Sequence, residues 1–267
     1  MNKNIYISKS EQEIFNPLLR SKEWIVGNDQ IKNIFFQMNN VKVNKVISGL
    51  IKKGYLYKIK RGKYLIQEIS SEKPLIKDPY RLGLSLFEGY LAFSTALKIY
   101  DLIDYENFTI FVATTNISRV AKVGEYIFKA VALGRRAMGI SNYRNYYIST
   151  LEKTIYDCLI KPQFAGGYAE ITKVIYTLKE IDWNAIRKYI EAYSSNSMSQ
   201  KIGYILDLLK TETDKEIPRE ILEYLESRVK TKSKLLSIQK SIGHYNSKWK
   251  VMDNLGKANI LSWWYYG

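Results

Sequence analysis

Residues 40–66 have the sequence NVKVNKVISGLIKKGYLYKIKRGKYLI, and this stretch decides how the rest of the chain is interpreted. Its first half has helical periodicity, because turning successive residues by about 100° places the aliphatic side chains on one side. These aliphatic residues are Val43, Val46, Ile47, Leu50 and Ile51. The opposite side contains cationic, polar and small residues and no acid. They are Lys42, Asn44, Lys45, Ser48, Gly49, Lys52 and Lys53. Such a surface would let the helix approach a nucleic-acid duplex.

A glycine and a short cationic hairpin follow this helix. Gly54 lies where a left-handed residue ends a helix, and residues 55–59 have the aromatic and β-branched composition of a strand. Gly62 supports a positive φ in the turn before residues 64–66 return as the partner strand. Helix, glycine and hairpin in this order predict a winged helix-turn-helix, whose helix enters the major groove while its wing contacts phosphate. The alternative is an ordinary amphipathic helix and hairpin with a solvated lysine face.

The preceding residues supply the two helices that such a domain needs. Ser8 and Glu11 have the spacing of a capping box, which predicts a helix towards Leu19. Residues 24–26 are expected to form a short strand or the entry to a helix. Asp29 is predicted to cap the second helix. Its inward residues are Ile31, Ile34, Phe35 and Met38.

A polar segment with a proline at residues 70–74 marks the predicted domain boundary. The first domain, residues 1–72, is the predicted winged helix-turn-helix. The second, residues 73–267, is predicted to be a mixed α/β domain with a small sheet and several helices, so that the fold class is α+β. Its expected strands are residues 89–93, 107–113, 125–133, 144–148, 233–238 and 248–252. Its expected helices are residues 79–87, 95–102, 150–160, 168–178, 183–193, 198–209 and 218–227.

The net charge of +15 is concentrated at the two ends of the chain. Residues 1–66 contain 13 basic and 4 acidic residues, a net +9, and residues 228–267 contain 8 and 1, a net +7. The 161 residues between them contain 20 and 21, a net −1. Clustered cations favour a polyanionic partner, because each neutralised phosphate releases counterions. The second basic region allows a second cationic surface, so the winged helix need not be the only surface that contacts nucleic acid.

Other classes of protein fit the sequence less well. No apolar run reaches the ~18 residues that span a bilayer, and the first residues lack a signal region, so we expect a cytoplasmic protein without a membrane partner. One cysteine, Cys158, and one histidine, His244, provide neither a disulfide framework nor a zinc site. Without a glycine-rich nucleotide loop either, we expect no cofactor, no metal and no enzymatic activity.

A metal-dependent nuclease using Glu152 and Asp157 with Lys153 is an alternative. The two acids lie about 140° apart around a helix, so they would not converge on one ion unaided. Glu152 is explained more simply as the capping partner of Ser149.

The C-terminal aromatic residues allow two interpretations. They could stack on single-stranded nucleic acid, but such a cluster more often packs on the protein or on a second subunit. These residues are Trp263, Trp264, Tyr265 and Tyr266.

Four segments of the second domain stand out: ISTLEKTIYD at 148–157, KPQFAGGY at 161–168, QKIGYIL at 200–206 and GHYNSKWKVMDN at 243–254. These segments resemble the AbiEi-type family of antitoxins and transcriptional regulators. With the predicted winged helix, the resemblance covers nearly the whole chain, and the order and spacing of the segments carry most of it.

The resemblance implies a DNA-binding winged helix joined to an α+β antitoxin domain. Members of that family typically repress their own operon and counter a nucleotidyltransferase-like toxin in a type IV toxin-antitoxin system. Two features differ. Where the family tends to have a Leu-Asp-Pro-like strand, residues 236–240 are LSIQK, and extra residues follow Asn254. A stand-alone regulator with the same fold is therefore the alternative.

We accordingly expect a sequence-specific repressor that binds double-stranded DNA at its own operator. Inverted repeats would be bound by a homodimer or by independent monomers. Asn44 is the best candidate for a bidentate contact to adenine. The residues expected at base edges or nearby phosphates are Asn40, Lys42, Asn44, Lys45 and Ser48. Those expected at phosphates are Lys52, Lys58, Lys60, Arg61 and Lys63.

Overall fold

A computed structural model describes residues 6–236 and 243–267 and has a mixed α+β fold with several small sheets. The chain forms two compact units. Unit 1 consists of Met1–Glu88, Phe108–Val112 and Ser118–Ala130, and unit 2 of the remaining residues. The domain boundary at residue 72 stays a prediction.

The helices and strands are numbered in chain order. Up to residue 132 they are α1 (Lys9–Arg20), β1 (Ile25–Gly27), α2 (Asn28–Ile34), α3 (Asn40–Lys52), β2 (Leu56–Lys60), β3 (Lys63–Ile66), α4 (Pro79–Leu86), β4 (Tyr90–Leu91), α5 (Ser94–Ile99), β5 (Thr109–Thr114), β6 (Arg119–Val123) and β7 (Tyr126–Ala132). The others are β8 (Ile140–Tyr143), β9 (Tyr146–Ser149), α6 (Leu151–Ile160), α7 (Tyr168–Thr177), α8 (Trp183–Tyr193), α9 (Asn196–Glu212), α10 (Arg219–Ser227), β10 (Ser233–Lys234), β11 (His244–Asn246), β12 (Val251–Asp253), α11 (Lys257–Ile260) and α12 (Ser262–Tyr265).

The first helix of unit 1 begins at the capping box that the sequence predicts. The backbone N–H of Glu11 donates to the Ser8 hydroxyl at 3.4 Å, and the N–H of Ser8 donates to a Glu11 carboxylate oxygen at 2.7 Å. Two donors at the start of α1 are thereby satisfied. The helix buries Ile14, Phe15 and Leu18 in the core of the unit.

The second helix differs from the prediction at both ends. Gly27, not Asp29, is the N-cap of α2, and its N–H donates to the Gln30 side-chain oxygen at 2.8 Å. Ile34 is 40% exposed rather than inward, because α2 has only 7 residues and ends there. Phe35 and Met38, which lie beyond the helix, supply the predicted apolar contacts.

The third helix and the hairpin confirm the elements predicted for residues 40–66. Helix α3 buries four residues on one side: Val43, Val46, Ile47 and Leu50. Gly54 and Gly62 have φ of +77° and +73°. Strands β1, β3 and β2 form an antiparallel sheet in that order. The interpretation of these elements as a winged helix stays a prediction.

Unit 1 also contains β6, which pairs antiparallel with β7. Strand β6 was not predicted from the sequence, because its residues are mostly exposed and lack an apolar alternation. Helix α4 begins at Pro79, as predicted, and Asp78 is its N-cap.

In unit 2, β4 pairs parallel with β9, and β9 pairs antiparallel with β8, a strand that the sequence analysis missed. The predicted capping box of Ser149 and Glu152 is wrong. Thr150 is the N-cap of α6 and accepts from the N–H of Lys153 at 3.3 Å, whereas the Ser149 hydroxyl is hydrogen-bonded to Thr154 at 2.7 Å. The helices α6 to α10 confirm the predicted helical region.

The C-terminal part of unit 2 contains a sheet with the order β10-β12-β11. The predicted strand 233–238 is Ser233–Lys234 in the described residues, and its residues 237 and 238 lie outside them. The predicted strand 248–252 begins later, at Val251, and β11 was not predicted. This sheet is held by Trp249, which is fully buried against α9 at Gly203.

Within the described part of the chain, no helix is long and apolar enough to cross a membrane.

Candidate nucleic-acid interface

The orientation of α3 is fixed by its apolar side and by a polar clamp to α1. Glu11 accepts from the Lys53 ammonium at 2.6 Å, and both side chains are largely shielded from solvent. A Cβ on Gly49 would lie 2.6 Å from the other Glu11 carboxylate oxygen. A larger residue at position 49 would therefore collide with Glu11, and the approach of a duplex to Gly49 stays a prediction.

This clamp depends on the ionised carboxylate. Burial acts to raise the pKa of Glu11, but hydrogen bonds from Lys53 and Ser8 outweigh it and hold the pKa below its ordinary value.

The clamp and the apolar core leave the predicted contact face of α3 in solvent. Its exposed residues are Asn40, Lys42, Asn44, Lys45, Ser48 and Lys52. The Ser48 hydroxyl donates to the Asn44 carbonyl at 2.9 Å. The Ser48 hydroxyl is thus bonded to the backbone of its own helix, whereas the Asn44 side chain is exposed in the first half of the helix.

A groove with a volume of about 300 Å³ lies between α2 and α3. Asn40 and Asn44 line it from α3, and Asn28 and Lys32 line it from α2. Asn28 and Lys32 were not predicted as site residues. Asn28 precedes the predicted start of the second helix, and Lys32 lies within that helix, for which no contact surface was predicted. The signal for an exposed polar surface here was the composition of residues 28–33, NDQIKN, in which only Ile31 is buried.

The cations of α3 differ in their surroundings. The Lys42 ammonium lies 3.4 Å from Glu13, and both side chains are about half exposed. Such a surface pair contributes at most about 1 kcal/mol. Lys45 and Lys52 are exposed and have no acidic partner within ion-pair distance among the described residues.

The hairpin has two kinds of cation. Lys58 and Arg61 are exposed. The ammonium of Lys60 donates to the carbonyls of Ser85 and Leu86 at 2.8 and 3.0 Å, and that of Lys63 donates to the Ser85 carbonyl at 3.1 Å. Both therefore satisfy the end of α4, where helix carbonyls lack partners.

Burial and the neighbouring Lys63 charge lower the pKa of Lys60. The phosphate contacts of these two lysines stay predictions.

Of the residues considered for chemistry, Lys153 and Asp157 are in contact, but no acidic cluster forms around them among the described residues. Lys153 and Asp157 form an ion pair buried in unit 2, with the Lys153 ammonium 5.7 Å from the Tyr156 ring centroid. Burial lowers the pKa of Lys153 and raises that of Asp157. Glu152 is half-buried on the same helix, and His244 is exposed on β11. The described residues hold no cluster of three or more His, Cys, Asp or Glu side chains that could bind a metal.

The C-terminal aromatic residues divide between packing and exposure. The Trp263 indole N–H donates to the Thr172 hydroxyl at 2.9 Å, and its ring lies 4.8 Å from that of Tyr176. Trp264 and Tyr265 are about 40% exposed but also contact the protein, because the Trp264 ring lies 5.3 Å from that of Tyr176 and the Tyr265 hydroxyl donates to Glu212. Packing on the protein is thus observed for Trp263, Trp264 and Tyr265, whereas Tyr266 is 77% exposed.

Comparison with known proteins identifies a shared fold. No family model and no curated protein matches the chain. The chain is similar to the crystal structure of the RV2827C protein from Mycobacterium tuberculosis, with a TM-score of 0.72 and 13% identity. The match covers 96% of this chain and 95% of that one. At this identity the likeness shows the fold alone.

Proposed function

We propose that this protein is a sequence-specific DNA-binding transcriptional regulator, with α3 as the recognition helix and the β2–β3 hairpin as the wing of a winged helix-turn-helix. The observation that carries the proposal is the difference between the two sides of α3. Its apolar side is buried, while Asn40, Asn44, Lys45 and Lys52 are exposed on the other side. Carboxamides can read base edges and lysines can hold phosphates, so one surface provides both functions of a recognition helix.

The order of elements supports this assignment. Three helices precede a two-stranded hairpin, and β1 completes a three-stranded sheet with it. The hairpin turn contains exposed Arg61, and the backbone N–H of Asn28 donates to the Gly62 carbonyl at 2.7 Å. This hydrogen bond connects the turn to the start of α2, beside the groove that Asn28 helps to line.

Footprinting on the DNA upstream of the gene tests the proposal. We expect protection of a discrete sequence, and the number and spacing of protected sites will distinguish a dimer on an inverted repeat from independent monomers. Protection that follows no sequence would overturn it.

A pair of matched variants tests which cations contact DNA. Lys58→Ala/Arg61→Ala and Lys60→Ala/Lys63→Ala remove the same charge from the same hairpin. We expect the first to lower the slope of log affinity against log salt by about 1.8, or 0.9 per lost phosphate contact. The second should change it less, because its ammonium groups donate to α4. Equal changes would indicate a response to net charge alone.

We further propose that the regulator is the autorepressing antitoxin of a type IV toxin-antitoxin system, with a nucleotidyltransferase-like toxin as its functional partner. The segments that resemble the AbiEi-type family support this part, and the differing segment at 236–240 leaves a stand-alone regulator as the second candidate. A toxin gene beside this one favours the antitoxin.

Co-expression of the full chain with that neighbouring protein separates the two candidates. An antitoxin restores growth, and a variant impaired in DNA binding, such as Asn44→Ala/Arg61→Ala, still restores it if the antitoxin does not act through repression. Growth arrest with both proteins would exclude antitoxin activity and leave DNA binding intact as a proposal.

A further inference from the structure

The second basic region forms a surface on the sheet β10-β12-β11. The pairs Lys234↔Met252 and Tyr245↔Met252 place one residue from each strand in a row across this sheet. Val251 and Asp253, which flank Met252 on β12, are buried. Since successive strand residues face opposite sides, the row lies on the outer face. Lys232 precedes Lys234 by two residues, and its ammonium lies 5.6 Å from the Tyr245 ring centroid, over the same face.

The cations of this region differ in whether an acid compensates them. Lys248 pairs with Asp207 at 3.0 Å, and Lys257 pairs with Glu212 at 3.0 Å, so these charges are compensated. Lys230, Lys232 and Lys234 are exposed, and none has a carboxylate within ion-pair distance among the described residues.

The one acidic residue in this part of the sequence does not neutralise the charge of the exposed lysines. Asp253, the single acid of residues 228–267, is buried. Its carboxylate accepts from the Tyr204 hydroxyl at 2.7 Å and from the backbone N–H groups of Leu255 and Gly256. This negative charge therefore points away from the face that carries Lys232 and Lys234.

We propose that this face, the lysine-tyrosine sheet face formed by Lys232, Lys234 and Tyr245, binds single-stranded nucleic acid. Lys234 lies on β10 and Lys232 directly precedes this strand. Two lysines with this spacing can hold neighbouring phosphates of an extended backbone, and an aromatic ring beside them stacks an unpaired base. The Tyr245 ring is 37% exposed and adjoins the Lys232 ammonium, so stacking brings a cation to the neighbouring phosphate.

The face is less suited to a duplex. Bases in a duplex are already stacked on one another, so the Tyr245 ring would find no unpaired base there. The proposal does not depend on the function proposed for unit 1, because the binding groups belong to the other unit.

Matched double variants of the full chain test the proposal by fluorescence anisotropy with a labelled 20-nucleotide oligo(dT). Lys232→Ala/Lys234→Ala should lower the salt slope by about 1.4, or 0.7 per phosphate contact, and weaken binding roughly 25-fold at 0.1 M salt. The control Lys248→Ala/Lys257→Ala removes the same charge from the paired group and should change binding by less than about threefold.

Tyrosine variants separate stacking from charge. Tyr245→Leu should weaken oligo(dT) binding by about fivefold or more, and Tyr245→Phe should retain it, because the ring supplies the stacking. Thermal unfolding of each variant shows whether the sheet is intact.

Three outcomes overturn the proposal. One is unchanged affinity in Lys232→Ala/Lys234→Ala, and another is an equal loss in the control, which would indicate net charge. The third is an equal loss towards a duplex of mixed sequence, which would indicate duplex binding. Failure of the footprint on the upstream DNA would instead bear on unit 1.

Discussion

The two basic regions of the chain differ in the side chains that accompany their lysines. On α3, the exposed lysines alternate with the exposed carboxamides of Asn40 and Asn44. In the C-terminal sheet the carboxamides are used locally. Asn246 accepts from the N–H of Trp249 at 2.9 Å, and Asn254 donates to the Leu236 carbonyl at 2.8 Å. Similar net charge therefore supports different recognition. Free carboxamides allow bases to be read, whereas lysines with one aromatic ring favour binding without sequence preference.

The variant with the largest expected effect disrupts the C-terminal sheet and leaves the α3 surface unchanged. A Cβ on Gly203 would lie 2.0 Å from a ring carbon of Trp249, which is fully buried. Gly203→Leu should therefore displace Trp249 and the adjoining β12, at a cost of about 3 kcal/mol in the free energy of unfolding. Denaturant unfolding measures this cost.

Binding assays complete the test of Gly203→Leu. We expect oligo(dT) binding to weaken while the operator footprint persists. Loss of the footprint with retained oligo(dT) binding would invert the assignment of the two regions.

A second variant weakens the other region. Glu11→Gln removes the charged acceptor that joins α1 to α3, and should lower the stability of unit 1 by about 2 kcal/mol. The pKa of Glu11 is lowered in the folded protein, so its contribution is present at neutral pH and is lost as the pH falls through the folded pKa.

The stability difference between wild type and Glu11→Gln should therefore shrink in acid, below about pH 4. Unfolding at pH 7 and pH 3 measures it. A difference that does not change with pH would contradict the role of the carboxylate charge.

A third prediction sharpens the contrast in base reading. Asn44→Ala should relax discrimination at one base pair of the operator by about 1–3 kcal/mol while leaving the salt slope unchanged, because a carboxamide neutralises no phosphate. Competition with operators substituted at single positions measures this. Equal weakening on every sequence would instead assign Asn44 to the backbone.

The smallest effect concerns a cation that already has a partner. Lys42→Ala should lower the salt slope of operator binding by less than Lys45→Ala, which is expected to lower it by about 0.9. Lys42 lies 3.4 Å from Glu13, and part of its charge is offset there. Salt titrations of the two variants compare them directly, and a larger effect of Lys42→Ala would show that Glu13 releases it on binding.

The sequence predicted elements best where periodicity and capping agree. Helix α3 combines a clear apolar side with Gly54 beyond its end, and α8 begins after Asp182 as predicted. The errors have local causes. Ser149 was expected to cap α6, but its hydroxyl bonds to Thr154, and an adjacent threonine is the cap. The strands β6, β8 and β11 are short and exposed, so burial does not impose a period on their residues.

The residues that form the candidate site could be predicted from the sequence, but the contacts that they make with the rest of the protein could not. The exposed face of α3 follows from spacing alone, whereas the partners of Lys60 and Lys63 lie more than 20 residues away in the chain. Likewise, the spacing around Gly49 gives no sign that Glu11, 38 positions earlier, needs the room. Long-range polar contacts leave no periodic signal.

The attachment of Lys60 and Lys63 to the end of α4 has a kinetic consequence. Immobilising a free lysine side chain costs up to about 2 kcal/mol of conformational entropy. Both lysines are already held in the folded protein, so binding to DNA does not add this cost. A hairpin that is ordered before DNA arrives binds as a preformed element. Association should then be fast and governed by electrostatic steering, so that the rate of dissociation distinguishes one DNA sequence from another.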